Sequence, residues 1–270
     1  KQTNMYSLFR NWNPKPEIFT IPGIDWPVRW YGLTWAVAFI GCHFFMNRIF
    51  RKEGRTDKQL DTLTLYIVVG TILGARIGHC LFYGWDYYSN NLLEIFKVWE
   101  GGLASHGGAI GIILAMILYC LKTKENWLWL FDRLVVVVPF ASFMIRMGNL
   151  MNSEIVGEPT QVAWAFIFPS VDLLPRHPTQ IYEGLYYLFL FILMYWLWEK
   201  KRNQFGKGFM FGLFCILMFG FRFVMEFMKE NQEAFEANLP INMGQILSIP
   251  FVIIGIIMIV RSYKLKKELV

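Results

Sequence analysis

The sequence has few charged residues and few cysteines, and each shortage excludes a class of protein. Charged residues make up 17% of the 270 residues, against 55% that are hydrophobic and 18% that are aromatic. This balance is too apolar for an ordinary soluble domain of this length. The four cysteines, Cys42, Cys80, Cys120 and Cys215, fall in apolar stretches. We therefore expect small buried residues there, not a disulfide framework.

Several catalytic signatures are also missing. No cysteine and histidine cluster has metal-ligand spacing, no glycine-rich phosphate loop follows a strand, and no Gly-x-Ser-x-Gly elbow occurs. These absences disfavour a metal site and a covalent serine mechanism, and the sequence implies no cofactor.

Residues 1–29 are polar and contain prolines, without an apolar core before a cleavage site, so we expect the first apolar stretch to be retained.

What the sequence does contain is long apolar runs. A helix needs about 20 apolar residues to cross roughly 30 Å of hydrocarbon. Seven stretches meet this requirement, near residues 31–47, 62–83, 103–121, 130–147, 180–198, 208–228 and 243–261. The sequence therefore predicts an all-α, polytopic integral membrane bundle, a single transmembrane domain over residues 1–270 with a small extracytoplasmic cap over 148–179.

Smaller patterns refine this architecture. Three Gly-x-x-x-Gly pairs predict close helix crossings, namely Gly74/Gly78, Gly107/Gly111 and Gly208/Gly212. Segments 1–29 and 84–102 are rich in tryptophan or tyrosine and are expected to lie along the membrane surface. The hydrophilic segment 229–242 is predicted to be a mobile outer loop.

The distribution of basic residues predicts the orientation. Segments 47–61, 122–126, 199–207 and 261–267 carry fifteen lysines and arginines, whereas the alternate segments carry seven. Because basic loops stay in the cytoplasm, we expect an extracytoplasmic N-terminus and a cytoplasmic C-terminus. The basic residues are split over four short loops without a motif, so no nucleic-acid partner is expected, and contact with membrane lipids is the more natural role.

In this topology three arginines share one depth in the outer half of the membrane: Arg76, Arg146 and Arg222. Tyr31 and His106 begin the first and third spans at a similar depth. A charge near the hydrocarbon costs about 3 kcal/mol or more, so such residues are expected to face the protein interior and to serve a function. Guanidinium groups suit bidentate binding of phosphate, and the cluster therefore predicts a phospholipid head group as ligand.

Each of these residues also has a structural interpretation. Arg76 and Arg222 could pair with carboxylates or helix-end carbonyls, and Glu226 lies on the same helical face as Arg222, four residues later. Tyr31 could be part of an interfacial aromatic belt. His106 lies between two glycine pairs at the start of a helix, where it is either a general base or a histidine hydrogen-bonded to a neighbouring helix.

Taken together, the motifs resemble a known family, the bacterial phosphatidylglycerol–prolipoprotein diacylglyceryl transferases, almost from end to end. The block from Arg146 to Gly157 is the most specific part of the resemblance. The matching motifs, in the family's order, are Trp30-Tyr31-Gly32, Gly74-Ala-Arg-Ile-Gly78, His106-Gly-Gly108, Arg146-Met-Gly-Asn149, Asn152-Ser-Glu154 with Gly157, Arg176-His-Pro-Thr-Gln180 with Tyr182-Glu183, Arg222 with Glu226, and Met243-Gly-Gln-Ile-Leu-Ser-Ile-Pro250.

The resemblance implies a reaction in the bacterial plasma (inner) membrane. The diacylglyceryl group of phosphatidylglycerol is transferred to the lipobox cysteine thiol of a prolipoprotein, a thioether forms, and glycerol phosphate is released. It also implies that Arg146 and Arg222 hold the lipid phosphate, while His106 and Tyr31 act near the reacting thiol. Its implied pocket residues are Asn149, Glu154, Gly157 and Glu226. We expect Arg76, at the same depth, in the lipid site.

One position departs from the family pattern. Four residues before Arg222 the family usually has a tyrosine, whereas this chain has Met218. Two other classes of function stay open on the sequence: a transporter or flippase for an anionic lipid or solute, and a scaffold. A transporter tends to show an internal repeat with interrupted helices in both halves, and no such repeat is visible.

Overall fold

The computed structural model describes residues 10–23, 25–98, 101–102, 104–230 and 240–267. Within these residues seven helices are long and apolar enough to cross a membrane. They are α1 (Trp30–Lys52), α2 (Asp57–Phe82), α4 (Ser105–Thr123), α5 (Trp127–Met151), α6 (Thr179–Lys201), α7 (Phe209–Met225) and α8 (Met243–Lys267), with a short helix α3 (Trp85–Tyr88) between α2 and α4. Each of the seven long helices corresponds to one predicted span, so the all-α, polytopic class is confirmed.

The strands are few and short. Strand β1 (Arg10–Asn11) pairs in parallel with β4 (Phe166–Ile167), which pairs antiparallel with β5 (Pro175–Arg176). A separate antiparallel hairpin joins β2 (Glu17–Ile21) to β3 (Trp26–Arg29). Strands β1, β2 and β3 precede α1, whereas β4 and β5 lie between α5 and α6.

The segment predicted to form a cap is ordered around a small apolar core. Leu150, Phe166 and Phe168 are buried there, and Trp12 packs against them. The indole Nε1 of Trp12 donates a hydrogen bond of 2.8 Å to the carbonyl oxygen of Leu150. The chain before α1 is therefore fastened to the end of α5.

The chain divides into two compact units. Residues 45–130 form one, and residues 1–44 together with 131–270 form the other. The assignment of a single domain stays a prediction.

In the unit of residues 45–130, α2 and α4 cross through glycines. A Cβ atom at Gly78 would lie 2.8 Å from the Cα of Gly107, and one at Gly74 would lie 2.7 Å from the Cα of Gly111. The absence of side chains lets the two backbones touch, as the first two glycine pairs predict. Thr56 begins α2 with a capping box closed by Gln59.

In the other unit the third glycine pair has two different roles. Gly212 packs against α8, where an added Cβ would lie 2.7 Å from the carbonyl oxygen of Gly255. Gly208 instead precedes α7 with a φ of +89°, and its N–H donates to the Asp132 carboxylate at 2.6 Å. Asp132 also accepts from the N–H of Phe211 at 2.9 Å, which caps α7 from α5. Expecting Gly208 at a helix crossing was therefore wrong.

Candidate active site

Charged side chains of α5, α6 and α7 meet within one unit. Arg146 of α5 places its Nε 2.8 Å from Oε2 of Glu183 on α6, and its Nη1 donates to Oδ1 of Asn149 at 3.0 Å. The side chain of Glu183 is fully buried. A buried carboxylate is tolerated only with close cationic and hydrogen-bonding partners, so this pair fixes the guanidinium of Arg146 in place.

A buried lysine joins this pair to a second carboxylate. The Nζ of Lys229 donates to Oε1 of Glu183 and to Oε1 of Glu226, each at 2.9 Å, and the lysine side chain is 2% exposed. We call the side chains joined by these ion pairs the charged cluster: Arg146, Arg222, Lys229, Glu183 and Glu226. It has three cations and two carboxylates, a surplus of one positive charge. A monoanionic ligand would neutralise it.

Arg222 is the least committed cation of this cluster. Its side chain is 38% exposed, and its Nε lies 3.6 Å from Oε1 of Glu226, beyond hydrogen-bonding distance. That buried Nε has no hydrogen-bond partner in the described part of the chain. A partly exposed arginine side chain with an unpartnered guanidinium donor is equipped to bind an anion from outside the protein.

The turn after α5 links Arg146 to Glu154. Asn149 accepts from Arg146 and donates from Nδ2 to Oε2 of Glu154 at 3.1 Å, while Asn152 donates to the other carboxylate oxygen at 3.0 Å. Ile155 has a φ of +57°, a left-handed conformation that costs a branched residue about 1 to 2 kcal/mol. Thr179 holds it by donating to its carbonyl oxygen at 2.8 Å.

Gly157 lies where three segments touch. A Cβ there would lie 2.7 Å from the Cβ of His177 and 2.8 Å from the carbonyl oxygen of Met228. The N–H of Gly157 donates to the carbonyl oxygen of His177 at 2.9 Å, and Gly157 also forms an antiparallel bridge with Lys229. The glycine thus allows the segment that carries Lys229 to reach the cluster.

Arg176 strengthens the same junction. Its Nη1 donates to the carbonyl oxygen of Gly157 at 3.0 Å and to Oε1 of Glu230 at 2.5 Å, and its Nη2 pairs with Asp172. Hydrogen bonding to this guanidinium lowers the pKa of Asp172, and the two carboxylates raise the pKa of Arg176. The ion pairs anchor the chain immediately after α7.

Tyr31 packs against the helix that carries Arg146. A Cβ at Gly148 would lie 2.8 Å from Cδ2 of Tyr31, so the ring touches α5 two residues beyond Arg146. Tyr31 also makes an edge contact with Trp35, with ring centroids 6.4 Å apart. The structure thus brings the predicted tyrosine to the Arg146–Gly157 block.

Comparisons with known proteins identify the family of this chain. The family model described as prolipoprotein diacylglyceryl transferase matches residues 16–261. The chain belongs to this family. Relatives named phosphatidylglycerol–prolipoprotein diacylglyceryl transferase include those of Bacteroides fragilis and Tolumonas auensis, each 44% identical and aligned over 94% of this chain and over 95% and 98% of their own. The Vibrio cholerae relative is 40% identical over 93% of both chains.

Two of the enzyme's predicted site residues belong to the unit of residues 45–130. The guanidinium of Arg76 donates to the carbonyl oxygens of Glu94, Ile95 and Gly101 at 2.6, 2.9 and 2.7 Å, and the residue is 3% exposed. These bonds match its structural interpretation and leave few donors for a lipid phosphate. His106, the second residue of α4, is exposed.

The structure also places in the enzyme's charged cluster residues that sequence reasoning missed. Glu183 was quoted in a motif without a role, and Lys229 was assigned to the mobile loop 229–242. That assignment was wrong for Lys229, which is buried, while residues 231–239 lie outside the described part of the chain. The only available signal was the spacing of Lys229, three residues after Glu226 and so on the same face of a helical turn.

Proposed function

We propose that the enzyme transfers the diacylglyceryl group of phosphatidylglycerol to the lipobox cysteine thiol of a prolipoprotein, giving a thioether and glycerol phosphate. The names of the relatives supply both substrates. The observation that carries the proposal in this chain is the incompletely paired guanidinium of Arg222 in a cluster with a positive surplus. A phosphodiester monoanion has the charge and the acceptor oxygens that such a cluster lacks.

The reaction is a substitution at a glyceryl carbon. The sulfur of the substrate cysteine forms the new C–S bond, the bond from that carbon to the phosphate oxygen breaks, and its electron pair stays on the phosphate. Negative charge therefore builds up on the leaving oxygen, where Arg146 and Arg222 stabilise it. Preorganised charges in a low-dielectric site commonly supply several kcal/mol, which is comparable to the about 10²- to 10⁴-fold that a general base contributes.

The thiol must lose its proton for this attack. Its ordinary pKa is about 8.5, so either a base removes the proton or nearby cations favour the thiolate. His106 is the candidate base, since its exposed position at the start of α4 leaves it accessible to a visiting substrate. Tyr31 is the candidate to orient the reacting group near Arg146.

The remaining predicted site residues hold the two arginines or the segments next to them in place. Asn149 and Glu154 form the hydrogen-bonded chain behind Arg146, Glu226 faces Arg222, and Gly157 admits the segment of Lys229. We assign Arg76 to holding the segment that precedes α4. The seven long apolar helices support a multi-pass position, which we assign to the bacterial inner membrane, and the asymmetry of basic residues supports an N-terminus outside and a C-terminus in the cytoplasm.

The test is transfer by purified protein. Wild type, phosphatidylglycerol and a lipobox peptide are expected to yield the diacylglyceryl thioether and an equal amount of glycerol phosphate, detected by mass spectrometry. Arg146→Ala and Arg222→Ala should each lower the rate at least about 100-fold. The control is Arg51→Ala, which removes an exposed arginine paired with Asp57 near the other end of α1 from Tyr31 and should retain the activity.

Three outcomes would contradict the proposed reaction or the role of one of its residues. Uptake of the lipid into vesicles without any thioether would favour a transporter or flippase. Full transfer by Arg146→Ala at equal membrane insertion would favour a scaffold role for that arginine. Unchanged transfer by His106→Gln would remove the histidine from the role of base.

A further inference from the structure

Tyr187 brings a phenolic hydroxyl into the buried charged cluster. Its side chain is 2% exposed on α6, four residues after Glu183 and therefore on the same helical face. The hydroxyl bonds to Oε1 of Glu183, whose other carboxylate oxygen lies 2.8 Å from Nε of Arg146, and it lies within electrostatic range of Arg146 and Arg222. It is thus a neutral donor placed beside the two arginines assigned to the phosphate.

The hydrogen bond that this hydroxyl makes within the cluster is weak. It donates to Oε1 of Glu183 over 3.4 Å, whereas a hydroxyl usually donates over about 2.7 to 2.8 Å. The same oxygen already accepts from Nζ of Lys229 at 2.9 Å. Giving up this bond to Glu183 would therefore cost little, and a nearby anion would gain a better donor.

The neighbouring hydroxyl of Tyr186 makes a hydrogen bond of ordinary length. Tyr186 donates to the carbonyl oxygen of Leu217 on α7 at 2.8 Å, and its ring stacks on Phe221 with centroids 3.6 Å apart. The ring of Tyr187 makes an edge contact with Phe221, with ring centroids 6.4 Å apart. Phe221 thus contacts both rings, but of the two hydroxyls it is that of Tyr187 that lies within electrostatic range of the arginines.

We propose that the hydroxyl of Tyr187 is a third donor to the bound phosphate, acting between Arg146 and Arg222. It turns from Glu183 to a phosphate oxygen when the lipid binds and holds the phosphate as the glyceryl carbon is transferred. The ligand chemistry is a phosphate ester, either the phosphodiester of the donor lipid or the phosphomonoester of the released product. The inference rests on the proposed function, which supplies the phosphate.

The test compares Tyr187→Phe with Tyr186→Phe, each of which removes one hydroxyl from the same helix. A hydrogen bond to a charged group corresponds to about 10-fold or more in affinity. For Tyr187→Phe we expect the KM for phosphatidylglycerol and the inhibition constant of glycerol phosphate each to rise at least about tenfold. For Tyr186→Phe, which removes a hydroxyl bonded to the carbonyl oxygen of Leu217, both should stay within about twofold.

The two constants distinguish the sources of phosphate. A rise in both assigns the hydroxyl to lipid and product, and a rise in the KM alone assigns it to the lipid phosphodiester. Wild-type values of both constants for Tyr187→Phe would overturn the inference, whatever the effect on stability. Only folded, membrane-inserted protein is assayed, so a lower yield does not alter either constant.

A third variant separates this inference from the function on which it rests. Full activity in Arg146→Ala would overturn the phosphate site itself. Loss of activity in Arg146→Ala with unchanged constants in Tyr187→Phe would overturn the role of Tyr187 alone.

Discussion

Replacing Lys229 with methionine tests the charge balance of the site. The change keeps the length and apolar stem of the side chain but removes the cation that lies 2.9 Å from both Glu183 and Glu226. Two cations, Arg146 and Arg222, then face two carboxylates, and the positive surplus disappears. Removing one partner of a buried ion pair costs about 3 to 5 kcal/mol, because the other partner stays buried without its counter-charge.

This cost has two separate readouts. We expect Lys229→Met to lower the thermal unfolding temperature, and to lower kcat/KM for phosphatidylglycerol at least about tenfold because Glu183 and Glu226 now compete with the phosphate for the arginines. The assays are thermal unfolding in detergent micelles and transfer to a lipobox peptide. The matched control is Lys207→Met, since Lys207 is exposed and should leave both readouts unchanged.

A double variant makes the reasoning refutable. Adding Glu183→Gln to Lys229→Met removes one carboxylate with the lysine, so the net charge of the cluster returns to the wild-type value. The double variant should therefore recover part of the loss in kcat/KM, which a double-mutant cycle measures as a coupling between the two positions. Wild-type activity in Lys229→Met, or strictly additive losses in the double variant, would refute the charge-balance argument.

Three further predictions follow from single contacts. Gly157→Ala should lower transfer at least about tenfold while the protein still inserts, because the new Cβ meets His177 and the backbone of Met228; wild-type rates would contradict this. The pKa of Asp172 lies below its ordinary value near 3.9, so its ion pair with Arg176 stabilises the fold above that pH and is lost as the pH falls through the lower folded-state value. Asp172→Asn should therefore reduce the unfolding temperature at pH 7 and make that temperature fall less steeply below pH 4. Identical profiles of unfolding temperature against pH in variant and wild type would show that this ion pair does not stabilise the fold. Arg76→Lys should increase proteolysis between residues 85 and 98, since an ammonium cannot reach all the carbonyls that the guanidinium holds; unchanged proteolysis would contradict the structural role.

The spans could be predicted because a bilayer permits little else. Hydrocarbon requires every backbone group to be paired, which a helix achieves within one segment, and lipid-facing side chains to be apolar, so a spanning helix is visible in local composition. The glycine pairs of α2 and α4 were informative for the same reason, since close contact of two backbones leaves a local pattern. Gly208 shows the limit, because its role depends on a left-handed φ and on Asp132, 76 residues earlier.

The site was harder to predict than the spans because its charges are partnered over long distances in sequence. The predicted topology places Arg76, Arg146 and Arg222 at one depth, but depth does not distinguish backbone carbonyls from a carboxylate as the partner. Only the fold shows that Arg76 is occupied by carbonyls. Likewise, Lys229 looks like a loop residue until Glu183, 46 positions earlier, is seen beside it.

The most direct measurement is the binding preference of the purified protein for phosphatidylglycerol over diacylglycerol with the same acyl chains. The two lipids differ by the phosphate and its glycerol, so the ratio of their affinities measures how strongly the protein binds the head group. Wild type should prefer phosphatidylglycerol at least about tenfold, and Arg222→Ala should lose most of that preference while still binding acyl chains. An equal preference in both proteins would contradict the account, because the phosphate would then be held by something other than Arg222.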